Sequence, residues 1–163
     1  MSQRQRIGIA EMHCARAPGL LVTHGLGSCL GITLYDATAK IGAMAHTLLP
    51  EPRPGEEPTR PAKFVVTAVE QMLVELADMG AVRERLVAKL VGGANMFVAL
   101  QPPSRELIGE RNARAARQTL AALSIPMVGE DTGGEHGRSA EFDLSTGEVR
   151  IRTLRARDCL AVL

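Results

Sequence analysis

The stretch 19-GLLVTHGLGSCLGITLYDATAKIGAMAHTLL-49 decides the fold. Gly19 to Thr23 is an apolar run of strand length that ends in the glycine-rich turn Gly25-Leu26-Gly27-Ser28-Cys29. Leu30 to Tyr35 and Lys40 to Leu49 are two further strand-like runs, separated by Asp36-Ala37-Thr38-Ala39, and together they read as a hairpin. In a hairpin centred near residue 38, position 29 falls opposite about position 47, which brings Cys29 and His46 within side-chain reach.

Upstream, Arg6 to Ala10 is a short strand-like run. Downstream, Pro50, Pro52, Pro54, Pro58 and Pro61 mark residues 51–61 as an extended surface loop. From Ala62 to Met79, Val65, Val69, Met72, Leu73 and Leu76 recur at three- and four-residue spacing, with Pro61 suited to a helix start and Gly80 to its end. Leu86 to Val91 reads as a strand running into Gly92-Gly93-Ala94-Asn95, and Gly109 to Leu123 as a second helix with Ala113, Ala116, Leu120 and Leu123 on one face. Ile125 to Val128 is a further strand, and Ser139 to Leu144 with Glu148 to Leu154 forms a hairpin around Ser145-Thr146-Gly147. No repeat or linker divides the chain, so residues 1–163 are expected to form one domain.

Composition narrows the function. The 163 residues are 45% hydrophobic with three Phe, one Tyr and no Trp, so the core is aliphatic and aromatic platforms for single-stranded nucleic acid are missing. Nineteen basic and 18 acidic residues give a net charge of +1 without long single-sign runs, which predicts no nucleic-acid partner and no attraction to anionic lipid. Cys14, Cys29 and Cys159 are an odd set without a CxxC pair, which argues against a disulfide framework and a structural zinc site and for a reducing cytoplasm. Leu26-Gly27-Ser28-Cys29 superficially resembles a lipoprotein processing site, but the apolar run Gly19 to Val22 is far shorter than the roughly 7–15 residues of a signal core. No window approaches the roughly 18 apolar residues of a membrane span, so no membrane insertion is expected.

A thiol in a glycine-rich turn with an imidazole from a second apolar segment is the material of a cysteine nucleophile and its base. A free thiol is only a few per cent ionised at neutral pH until an imidazolium or backbone amides lower its pKa. His46 is the candidate proton acceptor, Thr23 a candidate for orienting its ring, and the amides of Ser28 and Cys29, freed by Gly25 and Gly27, candidate oxyanion donors. The residues alone leave the bland alternative open, because free cysteines are among the most buried residue types. Gly92-Gly93-Ala94-Asn95 lacks the lysine and hydroxyl of a nucleotide loop, and its glycines read as allowing close packing, with Asn95 a candidate for binding a substrate amide. Gly109-Glu110-Arg111-Asn112 reads as a structural helix start.

The blocks Thr23-x-Gly25-Leu26-Gly27-Ser28-Cys29, Tyr35-Asp36, Gly42-Ala43-Met44-Ala45-His46-x-Leu48-Leu49-Pro50, Lys63-Phe64, Gly92-Gly93-Ala94-Asn95-Met96-Phe97, Ile108-Gly109-Glu110-Arg111-Asn112 and Asp131-Thr132-Gly133-Gly134 resemble, in order, the chemoreceptor glutamine deamidase family CheD of bacterial and archaeal chemotaxis. The resemblance implies an α+β fold, a layered sandwich of mixed β-sheets flanked by helices and similar to toxin-type cysteine deamidases. It implies a Cys29-His46-Thr23 triad that hydrolyses receptor glutamine to glutamate through a thioester, with Gly27 and Ser28 at the oxyanion site and no metal or cofactor. Methyl-accepting chemoreceptors are the implied substrate and a CheC-class phosphatase a possible partner. Two other functions stay open: a non-catalytic adaptor that binds receptors and such a phosphatase, and a cysteine amidase or peptidase acting elsewhere. Residues 1–18 are expected to be a variable segment in which His13 and Cys14 are bystanders. His24 stands where the family commonly has an aliphatic residue and is expected at the surface. Glu135-His136 departs from the Asn often found there, so His136 receives no role.

Overall fold

The computed structural model describes residues 3–97, 100, 106–153 and 160–163. Cys159 and Leu154, the end of the last expected strand, lie outside them. The strands are β1 (Gln3–Ile7), β2 (Glu11–Arg16), β3 (Gly19–Leu26), β4 (Leu30–Asp36), β5 (Ile41–Thr47), β6 (Val87–Gly92), β7 (Met127–Thr132), β8 (Arg138–Asp143), β9 (Val149–Thr153) and β10 (Leu160–Val162). They form two five-stranded sheets, ordered β1-β3-β8-β9-β10 and β2-β5-β4-β6-β7. Both are mixed, with β1–β3 and β6–β7 parallel and the other pairs antiparallel. Helices α1 (Val65–Asp78) and α2 (Ile108–Ala122) cover the outer face of the second sheet. The architecture is the expected α+β layered sandwich, with its helices on one side only.

Burial follows from the layers. β4 and β5 lie in the middle layer, so every residue in both is buried, whereas β8 and β9, open on one face, alternate. Ile32, Leu34, Ala43, Ala45 and Leu90 pack under Val65, Val69, Met72 and Leu76 of α1 and Ala113, Ala116 and Leu120 of α2. On the other face of the same sheet, Tyr35, Met44 and Val91 meet Leu21, Phe142, Val149 and Ile151 of the first sheet. Tyr35 stands edge-on to Phe142 with ring centroids 5.5 Å apart, and its hydroxyl donates to the Leu144 carbonyl at 2.7 Å. The sheets approach so closely at Gly42 that a Cβ there would lie 2.8 Å from both Phe142 and Leu144.

The hairpin is closed by Asp36. Its carboxylate accepts from the amides of Thr38 and Ala39, both at 3.0 Å, and of Val82 at 2.9 Å, and it pairs with Arg85 at 2.9 Å. Burial pushes the carboxyl up, but Arg85 and these amides outweigh it and hold the pKa at about 2. The register pairs Leu30 with Thr47 and Gly31 with His46. The residue across from His46 is therefore Gly31, and Cys29 stops just short of the ladder because the Gly93 amide takes its carbonyl at 2.8 Å.

Several boundaries differ from the expected ones for local reasons. The upstream strand ends at Ile7, because residues beyond Gly8 turn and Ala10 adopts a left-handed φ of 61°. β2 alternates exposed and half-buried residues only over its first four positions and pairs with β5 along its whole length. β3 runs on to Leu26 through a bulge after Thr23. α1 starts at Val65 because Pro61–Lys63 wind as a separate 3-10 turn and Phe64 is extended. Residues 51–60 contain no helix or strand. Among the described residues, no helix is long and apolar enough to cross a membrane.

Candidate active site

Cys29, His46 and Thr23 reach the site from three elements. Thr23 comes from β3 in the first sheet and His46 from β5 in the second, on the face that β5 turns toward the first sheet together with Met44. Thr23 and His46 are fully buried, and Thr23 Oγ1 lies 2.7 Å from His46 Nδ1. The same hydroxyl donates to the Ile7 carbonyl at 2.8 Å. A hydroxyl has one proton and a carbonyl can only accept, so Oγ1 accepts from Nδ1–H. The proton on Nδ1 leaves Nε2 with the lone pair. Nε2 is buried and has no hydrogen-bond partner among the described residues.

Burial drives the His46 pKa down to about 4, against a smaller upward pull from Glu11, so the ring is neutral at pH 7. Burial likewise pushes the Cys29 thiol up, opposed only by its own backbone amide. Of the two means of lowering the thiol, an imidazolium is absent at pH 7 and the backbone amide is outweighed by burial, so thiol and imidazole rest as a neutral pair. Such a pair works by proton transfer during attack, as a hydroxyl nucleophile does with its base.

Cys29 opens on a cleft of about 580 Å³. Gly25, Gly27, Ser28 and Cys29 form one wall, Asn95, Met96 and Phe97 another, and Ile108 and Arg111 of α2 a third. Among the described residues, the amides of Ser28 and Cys29 donate to no backbone acceptor, which leaves them available to an incoming oxygen. Asn95 donates its backbone amide to the Gly134 carbonyl at 2.9 Å, while its side-chain Oδ1 is buried and has no partner among the described residues. His24 is exposed, as expected, although Gly25 beside it lines the cleft.

The turn itself is held from a distance. The Ala94 amide donates to the Gly27 carbonyl at 2.8 Å, and Gly92, at φ 109°, lies so near that a Cβ would stand 2.5 Å from the Cys29 carbonyl oxygen. Asn112, fully buried on α2, donates its amide to the Ser28 carbonyl at 2.9 Å and to the Leu48 carbonyl at 3.1 Å. Nothing in the sequence reading gave Asn112 this brace. One signal was present: Asn112 sits at three- and four-residue spacing from buried Gly109 and Ala116, a polar residue on an apolar face.

The sequence is similar to those of known proteins. The family described as CheD chemotactic sensory transduction matches residues 48–153. A Geobacter metallireducens protein named a probable chemoreceptor glutamine deamidase, CheD 2, is 50% identical over 156 residues, 95% of this chain and 96% of its own. A Moorella thermoacetica protein named a probable chemoreceptor glutamine deamidase CheD is 48% identical over 93% of this chain and 92% of its own. A Pyrococcus abyssi protein of the same name is 46% identical over 93% of both. The chain belongs to the CheD family.

Proposed function

We propose that this protein hydrolyses glutamine side chains of chemoreceptors to glutamate, releasing ammonia, with Cys29 as nucleophile, His46 as general acid and base, and Thr23 as the residue that orients His46. The observation that carries the reading is the chain from the Ile7 carbonyl through Thr23 to His46, which leaves a lone pair on buried Nε2, on a strand whose ladder sets His46 opposite Gly31, two positions beyond the cleft-facing Cys29.

A glutamine entering the cleft would place its amide nitrogen against Asn95 Oδ1, an acceptor that otherwise lacks a donor. Sγ attacks the carboxamide carbon as its proton passes to Nε2, and the oxyanion takes the amides of Ser28 and Cys29, with Gly27 letting the backbone approach. The imidazolium, stabilised because Nδ1–H still donates to Thr23, gives its proton to the nitrogen, and ammonia leaves a thioester. His46 then draws a proton from water, hydroxide adds to the thioester, and its collapse returns the proton to sulfur and frees glutamate. No step needs a redox partner. In the resting protein Nε2 has no hydrogen bond, so the thiol must turn toward it as substrate binds.

Met96, Phe97 and Leu100 are 49%, 67% and 80% exposed at and near this cleft, which suits a protein partner better than free glutamine. This apolar rim is also what favours the second reading, an adaptor that docks on receptors or on a CheC-class phosphatase. A receptor cytoplasmic fragment incubated with the protein and mapped by mass spectrometry separates the two. Gln-to-Glu conversion is expected with wild type and a loss of at least about 10³-fold with Cys29→Ala or His46→Ala. Identical spectra for wild type and Cys29→Ala, with receptor binding retained, would leave the adaptor. The reading places the protein in the cytoplasm, where receptor signalling domains and free thiols are found.

A further inference from the structure

On the Nδ1 side of the His46 ring the chain between β1 and β2 makes a tight, doubly closed turn. The Glu11 amide donates to the Gly8 carbonyl at 3.1 Å, and the Gly8 amide donates back to Glu11 Oε2 at 2.8 Å. Within the turn, Ala10 holds its left-handed φ of 61° while its amide donates to the His46 carbonyl at 2.8 Å. The turn begins at Ile7, whose carbonyl receives the Thr23 hydroxyl. Glu11 also lies directly opposite His46 in the β2–β5 ladder, on the same face. One carboxylate therefore closes a loop that touches both the backbone of His46 and the carbonyl that sets its tautomer.

We propose that Glu11 is a positioning residue for the His46 base, holding the Ile7–Glu11 turn closed so that the Ile7 carbonyl claims the Thr23 proton and leaves Nε2 unprotonated. The role for His46 rests on the deamidase reading, whereas the hold on its tautomer stands on the geometry. If the turn opens, the Ile7 carbonyl withdraws, the Thr23 hydroxyl is free to donate to Nδ1, and the proton moves to Nε2, where it blocks acceptance from the thiol. The Glu11 charge adds to the hold by favouring the imidazolium that forms during attack. Of the groups around the ring, Thr23 from β3 and Gly31 from β4 are uncharged, and Arg6, His13, Arg60 and, from α1, Glu75 line the same cleft of about 410 Å³ as Glu11. Helix α1 and the Pro61–Lys63 turn pack on the opposite face of β5, with Ala43 and Ala45. That second cleft shares no lining residue with the Cys29 cleft.

The experiment uses the full chain with 15N-labelled histidine, the His46 signals being assigned by their loss in His46→Gln. Wild type is expected to show the Nδ1–H tautomer alone. Glu11→Gln keeps an oxygen for the Gly8 amide and should retain that tautomer and a kcat within about threefold of wild type. Glu11→Ala should mix the tautomers and lower kcat about tenfold with little change in KM. Gly8→Ala should act in the same direction but more weakly, without removing charge, since its Cβ would stand 3.0 Å from Glu11 Oε2 and push the carboxylate away by a few tenths of an ångström. Gly8→Ala and Glu11→Gln decide the matter if Glu11→Ala does not fold. A pure Nδ1–H signal with wild-type kcat in Glu11→Ala or Gly8→Ala overturns the proposal. If wild type converts no glutamine, the deamidase reading fails, while the tautomer spectra still decide whether Glu11 holds the ring.

Discussion

The turn that carries Cys29 and the strand that carries His46 are neighbours held by opposite means. The turn has little regular structure: its carbonyls are gripped by Gly93, Ala94 and Asn112, all far along the chain. His46 lies within a fully buried central strand, fixed by its ladder and by one hydroxyl from the opposing sheet. Imidazole and thiol therefore answer to different kinds of damage. The imidazole depends on what surrounds it electrostatically, and the thiol on distant backbone that must arrive and stay.

The largest expected effect tests the electrostatic half. The unfolded chain takes up a proton on His46 near pH 6.5, but the folded site resists until about pH 4, so stability is intact above 6.5 and falls as the pH drops toward 4. That interval corresponds to a loss of about 3 kcal/mol, read by denaturant unfolding at several pH values and expected to be largely absent in His46→Gln. Equal acid sensitivity in both proteins would mean that burial of the ring is not what sets its protonation. Next, Thr23→Val keeps the packing but removes the partner of Nδ1–H, and kcat should fall about 10²-fold through the wrong tautomer. Asn112→Ala probes the other half: it frees the Ser28 and Leu48 carbonyls, and should cost about 2 kcal/mol in unfolding and about tenfold in kcat/KM. If its activity loss exceeds that of Thr23→Val, the turn rather than the ring is the more sensitive part. The smallest change is His24→Leu, expected within about twofold of wild type in kcat/KM, since the side chain is exposed. A loss like that of His46→Ala would reassign the base.

Much of this contrast was legible in the sequence, and unevenly so. The hairpin, both helices and the Cys29 turn could be read because each carries its own local signal: an apolar run, a helical period, glycines. The register estimate lay one residue from the observed ladder, in which His46 faces Gly31, two positions beyond Cys29. β2 and the turn before it were not legible, because Glu11–Arg16 becomes a strand only through pairing with β5, and Ala10 adopts a conformation its residue type does not announce. The role of Asn112 was hidden for a similar reason: its partners are carbonyls, which leave no mark in a sequence. The neutral state of the thiol and imidazole was not legible either, because burial from both sheets sets it.

The grip of Asn112 on Ser28 spans 84 positions, and it has a consequence for how the protein is made. A chain emerging from the ribosome presents Cys29 long before α2 exists. Until then the thiol sits in a glycine-rich segment with no brace, in water, where it is an ordinary exposed cysteine open to oxidants. Contacts that close so large a loop form late. The proposed nucleophile is therefore among the last residues to gain its shelter, and synthesis in a reducing compartment would protect the interval.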